Sequence, residues 1–116
     1  MGSEYWAQAT ASAFDMLTQE ECVEVAKPEW WNDEGLKALS AMVVRAAPNH
    51  VAATVMRAIV LRGQCGDWEA GPRSAAELRE AAVHYERAAA LTNAPVLKAE
   101  LAADADWCRS KAEAMM

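Results

Sequence analysis

Five side chains belong to the residue types that most often bind metals or act as nucleophiles: the histidines His50 and His84, and the cysteines Cys22, Cys65 and Cys108. The two histidines fall on different predicted helices, and no Cys-x-x-Cys pair occurs. Zinc and di-metal sites need several such ligands converging on one point. We therefore predict no metal site and three reduced cysteines that pack like small apolar side chains.

Nucleophilic catalysis would need a base and an orienting group beside the nucleophile. Cys65 lies in a Gly-rich predicted loop, but only His50 and His84 could serve it, and no Asn or Asp stands in a readable arrangement. The nucleophile elbow and the phosphate-binding glycine motifs are absent from the sequence. The chain is thus predicted to be no enzyme and to bind no cofactor. A small helical enzyme would require a deep pocket around His84 or Cys65.

Tryptophan is the unusual residue, with five in the chain, and Trp30, Trp31 and Trp68 fall in predicted loops. Indoles on loops make good interface anchors because they bury a large area at little entropic cost. These three are candidate protein-binding residues. The alternative is that they fold back as lids over the helix ends.

Composition limits the kinds of partner. Asp and Glu number 17 against 11 Lys plus Arg, a formal charge of -6, and no basic stripe offsets it, so nucleic acid is not an expected partner. The apolar runs are far shorter than the ~20 residues of a membrane-spanning helix. We expect a soluble protein, intracellular and cytoplasmic by default, with an organelle not excluded.

The 116 residues suit one domain, and 53% hydrophobic residues without a period-2 run favour a helical fold. Helices are expected over 4–17, 18–26, 33–47, 49–64, 74–92 and from 93 onwards. Ser74 and Glu77 form a capping-box pattern, and Asn93 is the expected cap before Pro95. The short connection at Pro48 predicts that its two helices pack as an antiparallel hairpin.

Apolar spacing also predicts which faces are buried. In the first helix the predicted stripe is Trp6, Ala9, Ala13, Met16 and Leu17. In helix 74–92 the predicted packing face is Leu78, Ala81 or Ala82, Tyr85, Ala88 and Ala89. In the last helix it is Leu97, Leu101, Ala105, Cys108 and Ala112.

The run Ala81, Tyr85, Ala88 and Leu91, followed by a Pro-containing turn, resembles the second helix of a tetratricopeptide repeat (TPR). Residues 43–66 resemble the junction between two such repeats. The resemblance implies a TPR-like stack of antiparallel helical hairpins, a short right-handed superhelix or bundle of about five helices. Residues 1–31 would form an N-terminal helical cap and loop, and 32–116 the hairpins, within a single domain (1–116).

The same resemblance implies a concave protein-binding face lined by the first helix of each repeat. Val55, Ile59 and Arg62 would lie on it, with Arg62 placed to meet a carboxylate. The alternative is that Val55 and Ile59 are core residues and Arg62 a solvated charge.

We therefore expect a scaffold or adaptor that binds protein partners, or a small subunit of a multiprotein complex. Two alternatives stay open: a regulatory or terminal helical domain of a larger enzyme, and a self-associating helical bundle. The chain also has the features of an excerpt from a longer protein, since a helical pattern continues to Met115 and Met116.

Overall fold

The computed structural model describes residues 3–17, 29, 31–63 and 72–115, with the backbone alone at 15–17. In these ranges the secondary structure consists of helices, in agreement with the predicted all-α class. The helices are α1 (Glu4–Leu17), α2 (Asp33–Ala46), α3 (Val51–Arg62), α4 (Ala75–Leu91) and α5 (Pro95–Ala114). The short helix predicted over 18–26 lies outside the described residues.

Local signals fix where the helices begin. The Asn32 side chain accepts a hydrogen bond from the Gly35 amide (2.8 Å) at the start of α2. Ser74 and Glu77 exchange the two hydrogen bonds of the predicted capping box, 3.1 and 3.0 Å long. These side chains satisfy amides that have no partner within the first helical turn.

Helix α5 begins differently from the prediction. Its N-cap is Ala94 rather than Asn93, and no side chain caps it. Thr92 Oγ1 accepts from the Ala94 amide at 3.2 Å, and Pro95 in the first turn has no amide hydrogen to satisfy. Pro95 thus removes one first-turn amide, while the amides of Val96 and Leu97 receive no side-chain cap.

The helices pack mostly against their neighbours in sequence. Contacts join α1 to α2 and α3, α2 to α3, α3 to α4, and α4 to α5. The predicted hairpin about Pro48 is therefore present. Arg87 on α4 stabilises the turn between α2 and α3 by donating to the Pro48 carbonyl (2.9 Å) and to Asn49 Oδ1 (2.6 Å).

The apolar side chains form two clusters. The first joins α1, α2 and α3, and its buried members are Ala7, Ala11, Phe14, Trp31, Leu36, Val43, Ala47, Ala53, Met56 and Val60. The second joins α3, α4 and α5, and its buried members are Ala58, Leu61, Ala81, Ala82, Tyr85, Ala88, Ala89, Leu101, Ala105, Cys108. Ile59 packs against both, so α3 is shared between them.

The predicted faces are confirmed for α4, confirmed for α5 except at Leu97, which is 36% exposed, and corrected for α1. Every residue predicted on the packing face of α4 is buried. In α1 the buried residues are Ala7, Ala11 and Phe14, while Ala9 is exposed. Small side chains at positions 7 and 11 let the backbone of α1 approach its neighbours closely, so the contact lies to one side of the predicted stripe. Trp6 of that stripe is partly buried and packs against the first cluster.

Two arginines tie the helices together through hydrogen bonds. Arg57 on α3 donates to the Lys37 carbonyl (2.7 Å) and Ser40 Oγ (3.0 Å) of α2, and to Glu80 of α4 (3.2 Å). Arg73, just before α4, donates to both carboxylate oxygens of Asp33 (3.0 and 2.6 Å). Charge-assisted bonds of this kind fix the relative placement of the helices.

Arg73 also completes the end of α3. Its guanidinium donates to the Val60 carbonyl at 2.8 Å, which also accepts from the Gly63 amide at 3.2 Å in the last turn of the helix. Gly63 ends the helix in the left-handed conformation, with φ 69°. A Cβ at Gly63 would lie 2.8 Å from Arg73 Cγ, so only glycine leaves room for the arginine.

Within the described ranges, none of the helices combines the length and apolar composition needed to cross a membrane.

Candidate binding groove

The groove lies between α1 and α3 and contains two of the residues predicted to bind protein. Its lining residues are Ala11, Ser12, Phe14, Ala52, Val55, Met56 and Ile59, which enclose about 160 Å³. Val55 and Ile59 are four residues apart and so lie on one face of α3. Both are half-buried, and both also contact the second apolar cluster.

The groove forms because small and large side chains alternate along it. Ala11 and Ala52 have only a methyl group, while the larger Phe14 and Met56 are buried beneath, at 2% and 1% exposure. The lining residues carry no charge, and Ser12 is an exposed residue among them. Such walls accept an apolar side chain and would leave a buried ionic group unpaired.

Arg62 is directed away from this groove, towards α5. It donates to Asp104 Oδ1 at 3.1 Å, and its guanidinium carbon lies 4.1 Å from the centroid of the Trp107 ring. Burial by itself lowers the pKa of Arg62, but the Tyr85 hydroxyl and the Asp104 carboxylate raise it above its ordinary value. The carboxylate expected from a partner is thus supplied by the chain itself.

A second cleft of about 530 Å³ lies beside Arg62. It is lined by Arg62, Gly63, Pro72, Arg73, Leu78, Trp107, Lys111 and Met115. Both arginines already hold carboxylates, and Lys111 Nζ lies 5.3 Å from the centroid of the Trp107 ring. Two of the three cations in this cleft are therefore paired with carboxylates, and Lys111 contributes the remaining positive charge.

Of the three tryptophans predicted in loops, Trp31 is among the described residues. Trp31 is 8% exposed, and its ring centroid lies 5.6 Å from that of Phe14, so it belongs to the first cluster. This agrees with the lid alternative and not with an exposed anchor. Trp30 and Trp68 lie outside the described residues. Trp107, 43% exposed on α5, is the large exposed indole that loop-based reasoning missed.

The pKa values of several described titratable groups are shifted by burial and by their neighbours. Glu80 lies four residues before His84, a spacing that the sequence analysis overlooked, and its Oε2 is 3.4 Å from His84 Nε2. Burial lowers the pKa of His84, although Glu80 raises it. Burial also raises the pKa values of Tyr85 and Cys108, which favours their neutral forms.

Among the described residues, no group of three or more His, Cys, Asp or Glu side chains could hold a metal ion. Cys108 is a free, buried thiol, and Cys22 and Cys65 fall outside the described ranges.

No protein-family model, curated protein or solved structure matches this chain.

Proposed function

We propose that this protein is an interaction scaffold that holds a partner protein in the groove between α1 and α3. The observation that supports the proposal most directly is the uncharged groove of about 160 Å³ around Val55 and Ile59. An apolar groove with a few polar atoms at its edge is the common form of a binding site for apolar side chains.

The order of helix packing supports a TPR-like scaffold. Each helix contacts the next one in sequence, and α1 and α3 lie side by side. In a stack of hairpins the first helices of successive units line one surface. On this assignment α3 and α5 are first helices, α1 is the N-terminal cap packed beside α3, and the groove lies between the cap and a first helix.

The partner we propose is an amphipathic helix. Its apolar residues, spaced three and four apart, would lie along the groove, as in other helix-in-groove complexes. The formal charge of -6 favours basic residues on the solvent side of that helix, because opposite charges accelerate encounter.

Site-specific photo-crosslinking in the cells that produce the protein tests the proposal. A photoreactive residue at Ser12, which is exposed on the groove, should capture a discrete partner. The same residue at Ala90, exposed on α4, serves as the matched control. Equal capture at both positions would remove the support for this groove.

A blocking variant adds a second test. Ser12→Arg fills the groove with a long charged side chain without replacing a buried residue, and we expect it to abolish capture. Ala90→Arg introduces the same charge on α4 and should leave partner binding unchanged. Retention of the partner by Ser12→Arg would place its binding surface elsewhere.

A further inference from the structure

The cleft beside Arg62 combines positive charge with apolar walls. Three of the eight described residues that line it are cations, namely Arg62, Arg73 and Lys111, and none of the eight is an Asp or a Glu. The chain as a whole carries a formal charge of -6. A cleft lined by charges of one sign raises the local concentration of ions of the opposite sign, so this cleft favours an anion.

The three cations differ in how far their charges and donors are already used. Arg73 donates from all three of its side-chain nitrogens to partners within the fold. Arg62 donates from Nη1 to Asp104, while its Nε has no hydrogen-bond acceptor among the described residues. Lys111 forms no ion pair with a described carboxylate. Lys111 is therefore the main free charge, and Arg62 keeps more hydrogen-bonding capacity than Arg73.

The apolar part of the cleft is formed by exposed side chains. Trp107 and Met115 are 43% and 49% exposed, and both line the cleft. Together with Lys111 they also line a neighbouring hollow of about 460 Å³. Indole and thioether groups both make favourable contacts with aromatic rings. A ring against Trp107 and Met115 can thus be joined to an anionic group beside Lys111.

The size and charge of the cleft limit the ligand further. Its volume of about 530 Å³ lies within the range of roughly 300 to 1,000 Å³ that is usual for small-molecule sites. One cation without a carboxylate partner suits a ligand with one negative charge. A second negative charge in the cleft would lack a partner, which is costly.

We propose that this cleft binds a small aromatic molecule with a single carboxylate, which Lys111 and Arg62 hold while the ring lies against Trp107 and Met115. The cleft and the groove between α1 and α3 have no described lining residue in common. The inference therefore goes beyond the proposed function and does not depend on it.

NMR titration of the purified chain with 3-phenylpropionate tests the proposal. We expect saturable shifts of the Trp107 indole N–H and the Met115 methyl group, with Kd of about 1 mM for a ligand this small. The neutral 3-phenylpropionamide lacks the charge, and acetate lacks the ring. Each should bind at least about tenfold more weakly.

Substitutions at two lysines of α5 locate the carboxylate. Lys111→Gln removes the free charge of the cleft and should raise Kd about tenfold, whereas Lys111→Arg keeps the charge and should preserve binding. Lys98→Gln makes the same change in net charge at an exposed residue of α5 outside the cleft and should leave Kd unchanged. The amide spectra of the three variants check that the fold is retained.

Two further arms exclude other occupants. Asp67 and Glu69 belong to the segment between Gly63 and Pro72, and Asp67→Asn/Glu69→Gln should not change Kd greatly. Binding at least about tenfold tighter in this variant would mean that a carboxylate of the chain itself occupies the cleft. An acetylated peptide ending in phenylalanine offers the same ring and carboxylate, and tenfold tighter binding of that peptide would indicate a protein C-terminus as the ligand instead.

Either of those results would overturn the inference. So would the absence of saturable shifts at Trp107 in the wild type, or equal effects of Lys111→Gln and Lys98→Gln. Ser12→Arg should leave binding of 3-phenylpropionate unchanged, so failure of the proposed groove and failure of the cleft can be distinguished.

Discussion

Arg73 joins three parts of the fold that are distant in sequence. Its side chain is 6% exposed and holds Asp33 at the start of α2 and the Val60 carbonyl near the end of α3. The sequence shows only a lone arginine after Gly71-Pro72. Because both partners are supplied by other elements, no local pattern could have revealed this contact.

Replacement of Arg73 should be strongly destabilising. Arg73→Met keeps much of the apolar stem but removes the charge-assisted bonds to Asp33 and to the Val60 carbonyl, and we expect a loss of about 3 kcal/mol in the free energy of unfolding. Urea denaturation measures it as a lower midpoint at unchanged slope. Arg45→Met, an exposed arginine in the last turn of α2, should cost less than about 0.5 kcal/mol.

His84 should make stability depend on pH. Burial lowers its pKa in the folded state below the ordinary value of about 6.5, against the opposing effect of Glu80. The stability that the fold gains by holding His84 neutral is therefore fully present at pH values above its ordinary pKa. Between the ordinary and the folded pKa the unfolded chain binds more protons, so the free energy of unfolding falls as the pH falls.

Urea denaturation between about pH 8 and pH 5.5 tests this dependence. The wild type should lose stability towards the acidic end, and His84→Gln should show a shallower slope over the same interval. An identical slope in both proteins would assign the pH dependence to other groups.

At the scale of helices, local capping signals predicted the boundaries well. Ser74 with Glu77, and Pro95, act where the sequence places them, because capping involves residues within one turn, whereas the cap expected at Asn93 is replaced by Ala94. The buried face of α1 was predicted wrongly because the stripe included Ala9, which is exposed, and left out Phe14, which is buried. Its contact is instead made by Ala7, Ala11 and Phe14, a choice set by the neighbouring helices.

The candidate site was predictable only in part. Val55 and Ile59 share a helix face by spacing alone, and the groove between α1 and α3 contains both. Their role in binding stays a prediction. The position of Arg62 depends on Asp104, which is 42 residues away, and the burial of Trp31 depends on Phe14. Neither contact can be predicted from the spacing of residues within one helix.

The capping box of α4 should contribute measurably to stability. Ser74→Ala removes the acceptor of the Glu77 amide and should cost about 1 kcal/mol. Ser12→Ala, at an exposed position inside α1, provides the matched comparison and should be close to neutral. Thermal and urea unfolding of both variants measure the difference, and equal losses would mean that the cap has little effect.

At the scale of the whole molecule, α3 connects the two apolar clusters. It contacts α1, α2 and α4, whereas α5 packs mainly on α4. The sequence predicted the hairpin about Pro48 but not which helices are central, since that depends on contacts between distant segments. The TPR-like superhelix likewise stays a prediction.

Hydrogen exchange should reflect this arrangement. Amides of α3 are expected to exchange most slowly, because opening them disrupts both clusters, while those of α1 and the last turns of α5 should exchange fastest among the helices. Exchange measured by NMR or mass spectrometry under native conditions tests the order. Slower exchange in α5 than in α3 would contradict it.

The contact between Gly63 and Arg73 also bears on protein engineering. A Cβ at position 63 would lie 2.8 Å from Arg73 Cγ, and the φ of 69° at Gly63 disfavours any other residue. Positions 63 and 73 therefore constrain each other, although they belong to different elements. A sequence designed for this fold must keep glycine at 63 for as long as arginine stands at 73, so the two positions are expected to vary together.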